Sequence, residues 1–285
     1  MEGSVLRFVN YQTMAALGIV ATFAVSFWLC IRLEQNWTRQ IPIMLVSLAG
    51  MILGAKLFGI LSYATYLSGV GQEITLDKLV YSSGIVFYGG LLGYLGTYAL
   101  LSKFFLKKRK LGLDIVAVTT PLFHGFARIG CYVAQREVDG VLTHRPCCYG
   151  IVMDNVFCSH FFESRLPVQL FESAFNFLLF FGLLWLLLHN REERRRGKLL
   201  PFYLTLYATF RFCIESFRGD LVRGAIGTLS FSQVVSLAIL LGVFVYCILV
   251  RTGAVKPLPN DPIDPDVERF RLFVREDASE EEPLE

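Results

Sequence analysis

Seven apolar blocks constrain this chain more than any other feature. They lie at roughly 12–31, 41–61, 84–105, 112–134, 167–189, 199–217 and 229–250. A run of about twenty apolar residues is what an α-helix needs to cross the ~30 Å hydrocarbon layer of a bilayer. No water is present there to satisfy backbone N–H and C=O groups, so spanning segments must be helices or strands of a closed barrel. Blocks of this length exclude the barrel, whose strands are about half as long. The chain is 54% hydrophobic, with a mean hydropathy of +0.52, too apolar for a water-soluble domain. The expected fold class is an all-α membrane protein of seven transmembrane helices. Residues 1–253 would form the membrane domain.

The basic residues give the orientation. Lys103, Lys107, Lys108, Arg109 and Lys110 follow the third block, and Arg191, Arg194, Arg195, Arg196 and Lys198 follow the fifth. Arg32 and Arg39 lie after the first, and Arg251 and Lys256 after the last. An excess of Lys and Arg marks cytoplasmic loops, so the N-terminus is expected outside and the C-terminus in the cytoplasm. The first block is longer than a signal-peptide core and lacks a framed cleavage site, so it reads as a retained helix. Residues 254–285 end in Glu280-Glu281-Glu282-Pro283-Leu284-Glu285 and read as an acidic, disordered cytoplasmic tail. A net charge of +3 is too small to suggest a nucleic-acid partner.

Polar residues inside the blocks carry the functional signal, because a charge in a membrane helix costs roughly 2.5–3.5 kcal/mol on insertion scales and persists only when paired or working. Arg211, Glu215 and Arg218 share the spacing i, i+4, i+7, and His124 and Arg128 the spacing i, i+4. Gln169, Glu172 and Asn176 follow i, i+3, i+7. Ser230, Ser232, Gln233 and Ser236 open the last block, Asn10 and Tyr11 the first, and Tyr88-Gly89-Gly90 the third. With the expected orientation, all of them and Lys56 fall in the outer half of the membrane, while the inner halves are almost purely apolar. A channel or proton relay needs polar groups through the whole depth. This layer instead suits a cavity that opens toward the outer leaflet. Its surplus of cations points to an anionic ligand such as a lipid phosphate, which Arg recognises bidentately. The plain alternative for Arg211 and Glu215 is a structural ion pair. Gly50 with Gly54, and Gly89 with Gly93, read first as small-residue pairs that let helices approach.

Of the seven cysteines, Cys30, Cys213 and Cys247 read as packing residues. Cys131, Cys147, Cys148 and Cys158 fall at the outer end of the fourth block and in the loop after it, where disulfides are permitted. No ligand spacing supports a metal site, and none is expected.

Five ordered blocks resemble the prolipoprotein diacylglyceryl transferases. These are Phe87-Tyr88-Gly89-Gly90-Leu91-Leu92-Gly93, Gly125-Phe126-Ala127-Arg128-Ile129-Gly130-Cys131-Tyr132, Pro167-Val168-Gln169-Leu170-Phe171-Glu172, Arg211-Phe212 with Glu215 and Arg218, and Leu229-Ser230 with Gln233 and Ser236. The resemblance runs from about Tyr11 to Leu237. It implies a seven-span enzyme of the bacterial cytoplasmic membrane that moves diacylglyceryl from phosphatidylglycerol to the lipobox cysteine of a prolipoprotein, with no cofactor and with membrane lipids and the signal-peptide lipobox as partners. It implies catalytic parts for Arg128, Arg211 and Glu215, with Tyr88 and His124 as further candidates. It places Tyr11, Gly89, Gly90, Gly150, Gln169, Glu172, Arg218 and Gln233, with Arg128, around the substrate. Departures are present. Cys131 stands where the family signature has Asn, Tyr88 where it has His, and Gln135 to Pro146 are inserted before Cys147-Cys148-Tyr149-Gly150. These changes motivate two other expectations, a catalytically altered homologue that binds lipid or signal segments and an anionic-solute transporter.

Overall fold

The computed structural model describes residues 10–133, 136–138, 141–143, 150–152, 159–160, 163–164, 166–189, 197–219, 225–255 and 261. Seven long helices make up most of it: α1 Tyr11–Arg32, α2 Trp37–Gly69, α3 Phe87–Phe105, α4 Arg109–Val133, α5 Val168–His189, α6 Leu199–Ile214 and α7 Phe231–Arg251. Each coincides with one apolar block. Four of them (α1, α2, α5 and α7) are long and apolar enough to cross a membrane by length and composition alone. Short two-stranded pieces occur between helices, including Arg136–Val138 paired antiparallel with Val141–Thr143 inside the inserted segment.

Two helices depart from expectation. α2 runs to Gly69, eight residues past the block's expected end, and then turns at Gly71, whose φ of 68° glycine adopts without steric cost. Tyr63 and Tyr66, too polar for a strict apolar count, continue the helix and stack on each other. α6 stops at Ile214, Glu215–Phe217 tighten into a 3₁₀ turn, and Arg218 is extended. The expected single helical face for Arg211, Glu215 and Arg218 is therefore corrected. Arg211 and Glu215 keep the i, i+4 relation, but Arg218 lies beyond the helix, its N–H donating to the Glu215 carbonyl at 3.1 Å.

α4 is the centre of the bundle, buried along nearly its whole length and packed against α1, α5 and α6. α2 and α3 form a tight antiparallel pair. Gly54 faces Gly89, Gly50 faces Gly93 and Gly59 faces Gly84, each so close that a Cβ would meet the opposing carbonyl oxygen. The Val86 N–H bonds the Ala55 carbonyl across this contact at 3.0 Å. Gly89, expected at the substrate, is consumed by this packing.

Backbone ends at the pole opposite the polar layer are closed by acids. Asp114 accepts from Gly197 N–H at 2.6 Å and Leu199 N–H at 3.1 Å. Asp261 accepts from Lys110 and Leu111 N–H at 2.9 Å each, capping the positive end of α4. Asp261 belongs to the segment read as disordered tail, yet it is buried; residues 262–285 lie outside the described residues, as does the Arg191–Arg196 cluster.

Candidate active site

Six helices converge on one cavity of about 910 Å³. Its polar end is built by Tyr11 at the start of α1, Tyr88 and Gly90 at the start of α3, His124 and Arg128 near the end of α4, and Tyr207, Arg211, Glu215 and Arg218 at and beyond the end of α6. Ile19 and Phe23 of α1, Leu48, Met51 and Ile52 of α2, and Leu91 of α3 make an apolar extension from it. The cavity lining thus combines a cluster of cations with a larger, mainly apolar surface.

Glu172 organises the cations from behind. This α5 carboxylate is 2% exposed and lies outside the cavity lining. It sits 2.5 Å from Arg128 Nε, 3.0 Å from Arg211 Nη1 and 3.7 Å from Arg218 Nη1. Glu215 lies 2.8 Å from the same Arg211 nitrogen. Among the described residues three guanidiniums thus share two carboxylates, in a buried setting where attraction to an anion is strong. The structural ion pair weighed for Arg211 and Glu215 does exist, but it is part of this larger cluster.

His124 and Asn176, on facing stripes of α4 and α5, extend the cluster. Arg128 Nε–H donates to His124 Nε2 at 3.1 Å, His124 Nδ1 lies 3.2 Å from Asn176 Oδ1, and Asn176 Nδ2–H donates to the Glu172 carbonyl at 2.7 Å. The imidazole is stacked on Phe87, with ring centroids 3.5 Å apart, and meets Tyr207 edge-on. Tyr88 donates to Ser236 Oγ of α7 at 2.6 Å, because the Ser236 proton is already given to the Ser232 carbonyl. The hydroxyl of Tyr88, a catalytic candidate from the sequence, is thus bonded to α7.

The remaining candidates stand further back. Gln169 is buried on α5 beside Glu172. Gln233 accepts from Ser230 N–H at 3.0 Å and completes the N-terminal cap of α7. Gly150 bridges Arg218, and a Cβ there would strike the Leu166 backbone, so glycine lets the chain pass close to Leu166 just before α5. Lys56 donates to the Ser83 carbonyl at 2.8 Å and does not reach the cavity. Cys131 lines the cavity as a free thiol, and Cys147, Cys148 and Cys158 lie outside the described residues. Tyr207 was missed in the sequence. It is fully buried, it lines the cavity, and its hydroxyl has no hydrogen-bond partner among the described residues. The spacing Tyr203, Tyr207, Arg211, Glu215, each four apart, was the available signal.

A family model described as prolipoprotein diacylglyceryl transferase matches residues 4–249. The chain is 31% identical over 254 residues to the phosphatidylglycerol–prolipoprotein diacylglyceryl transferase of Clostridium tetani, covering 85% of this chain and 93% of that protein. It is 29% identical to a second such protein from Clostridium perfringens, over 83% of this chain and 89% of the relative. One from Helicobacter pylori is also 29% identical, over 79% and 88% respectively. With a match over most of its length to the family model and to relatives that are themselves nearly fully covered, the chain belongs to the prolipoprotein diacylglyceryl transferase family.

Proposed function

We propose that this protein transfers the diacylglyceryl group of phosphatidylglycerol to the lipobox cysteine thiol of a prolipoprotein. The observation that carries the reading is that Arg128 and Arg211 line the same cavity as a large apolar surface, the two requirements of a phospholipid. In the reaction the thiol loses its proton, sulfur bonds C3 of the lipid glycerol, and the C3–O bond breaks. The electron pair leaves with glycerol 1-phosphate. A singly charged phosphodiester becomes a doubly charged monoester, so negative charge grows at the phosphate as the bond breaks. Fixed cations there stabilise the transition state more than the ground state, which is the condition for catalysis. Arg128 and Arg211 hold the phosphate, with Arg218 at the rim. Glu215, a carboxylate on the cavity wall, takes the thiol proton. The apolar extension receives the acyl chains.

All seven helices cross the bacterial cytoplasmic membrane, with the N-terminus and the cationic end of the cavity outside. The alternating basic loops support this orientation. The same reading supplies a reason for the low apolarity of α4, which other helices shield from lipid. The test is a transfer assay in nanodiscs, using phosphatidylglycerol labelled in its diacyl part and a lipobox peptide. Label is expected on the peptide, and is expected to vanish with Arg128→Ala and with Ser in place of the lipobox cysteine. Bound phosphatidylglycerol without any transfer would overturn the reading. Oppositely directed reporter fusions at the Lys107 and Gly227 loops test the orientation.

A further inference from the structure

The hydrogen bonds around His124 have a direction that fixes where its proton sits. An Arg Nε carries one hydrogen and cannot accept, so His124 Nε2, 3.1 Å away, must be the acceptor. Asn176 can donate to the Glu172 carbonyl only with its NH2 group, which turns its Oδ1 toward the ring. His124 Nδ1, 3.2 Å from that oxygen, is therefore the protonated nitrogen. Every position in the chain from the Glu172 carbonyl to Arg128 is determined, and the imidazole is neutral in one tautomer. It is also held in place, being 1% exposed, stacked on Phe87 and met edge-on by Tyr207. Glu172 Oε2 lies near Arg128 Nε but accepts no hydrogen bond, so the Nε–H axis points at His124 and not at the carboxylate.

We propose that His124 is a positioning residue that aims Arg128 rather than a base that receives the thiol proton. Its one lone pair in the ring plane is occupied by Arg128, and its proton is held by Asn176, so neither nitrogen is offered to the cavity. What the contact achieves is orientation. Binding the guanidinium by Nε leaves the two terminal amino groups as the pair that faces the cavity, the arrangement suited to two phosphate oxygens. The sequence spacing that made His124 a candidate base is the same i, i+4 spacing that lets it hold Arg128.

The inference rests on the transferase reading for its activity arm, and its spectroscopic arm is independent of it. In full-length protein labelled with ¹⁵N and ¹³C in histidine, the His124 signals, assigned by their loss in His124→Gln, are expected to show a neutral ring protonated at Nδ1. An Nε2–H tautomer or an imidazolium near neutral pH would overturn the proposal. In the transfer assay, His124→Leu is expected to lose about tenfold to a hundredfold, the worth of a hydrogen bond to a charged group. His124→Gln, whose amide oxygen can accept from Arg128, should recover most of that loss and keep the native pH profile. In an Arg128→Lys background, which has no Nε–H, changing His124 to Leu should add little further loss. Three results would each sink the proposal: His124→Gln as impaired as His124→Leu while still binding phosphatidylglycerol, a pH limb abolished by His124→Gln, or fully additive losses with Arg128→Lys. Absence of transfer by the native protein would instead remove the transferase reading and leave the tautomer result standing.

Discussion

Glu172→Gln isolates the electrostatics of the cluster, because glutamine keeps the shape and volume of the side chain and removes its charge. In the native protein Glu172 serves Arg128 at 2.5 Å, Arg211 at 3.0 Å and Arg218 at 3.7 Å. The three losses are unequal. Arg211 keeps Glu215 at 2.8 Å, and Arg218 is the most distant of the three from Glu172. Arg128, 12% exposed and at the cavity wall, loses its one carboxylate partner among the described residues. One orphaned buried charge costs about 3–5 kcal/mol. We therefore expect a loss of about 3 kcal/mol, at the low end of that range because Arg128 is partly open to the cavity and still bonds the His124 ring. Removing the orphan as well, with Glu172→Gln and Arg128→Met together, should restore about 2 kcal/mol or more relative to additivity. The assay is equilibrium unfolding in mixed micelles of graded denaturing detergent, with all four proteins of the cycle compared. A single-variant loss under about 1 kcal/mol, the scale of an ordinary substitution, would refute the account. So would a double variant that merely sums the two losses.

Other outcomes follow from different parts of the molecule. Glu215→Gln should lower the transfer rate by about a hundredfold or more with little change in phosphatidylglycerol affinity, as measured by single-turnover transfer and lipid binding. Tyr203→Phe and Tyr207→Phe each delete a buried hydroxyl with no hydrogen-bond partner among the described residues. Both should stabilise the fold by up to about 1 kcal/mol, but only Tyr207→Phe, at the cavity wall, should reduce transfer. Gly89→Val places branched carbon against the Gly54 backbone and should cost several kcal/mol, roughly 3 or more, seen as loss of monodisperse protein. Asp261→Ala should cost about 1 kcal/mol through its lost cap on α4, with transfer retained once the protein is folded.

Much of the architecture was legible because apolar length is a direct consequence of the medium. Each apolar block became one helix, and the errors lie where that criterion is silent. The end of α2 extends through Tyr63 and Tyr66 because they line the cavity, whose wall tolerates hydroxyls that a hydropathy count rejects. The kink after Ile214 was invisible because nothing in Glu215-Ser216-Phe217 breaks a helix; the strand-like grip of Gly150 and Ile151 on Phe217 and Arg218 imposes it. For the site, helical spacing was enough to bring His124, Arg128, Arg211 and Glu215 together. It could not rank them by depth. Glu172 and Gln169 carry the same kind of signal as Arg211, yet they stand behind the cavity because α5 turns that face toward α4 rather than toward open space. Tyr207 was passed over because a tyrosine in an apolar block reads as packing until its hydroxyl is found without a partner.

The burial of α4 has a consequence for how the protein is made. Arg128 is synthesised on α4, and its carboxylate Glu172 appears about forty residues later on α5, with Arg211 and Glu215 later still on α6. When α4 leaves the ribosome, none of the groups that neutralise Arg128 has been translated. If α4 crosses the membrane as proposed, Arg128 near one end and Asp114 near the other would enter it unpaired, at a cost of up to roughly 2.5–3.5 kcal/mol each. Its insertion would then be favoured in company with α5, which supplies Glu172, Ser173 and Asn176. Lengthening or stiffening the connection between α4 and α5 would delay the arrival of α5, and the damage would be to biogenesis rather than to the finished enzyme.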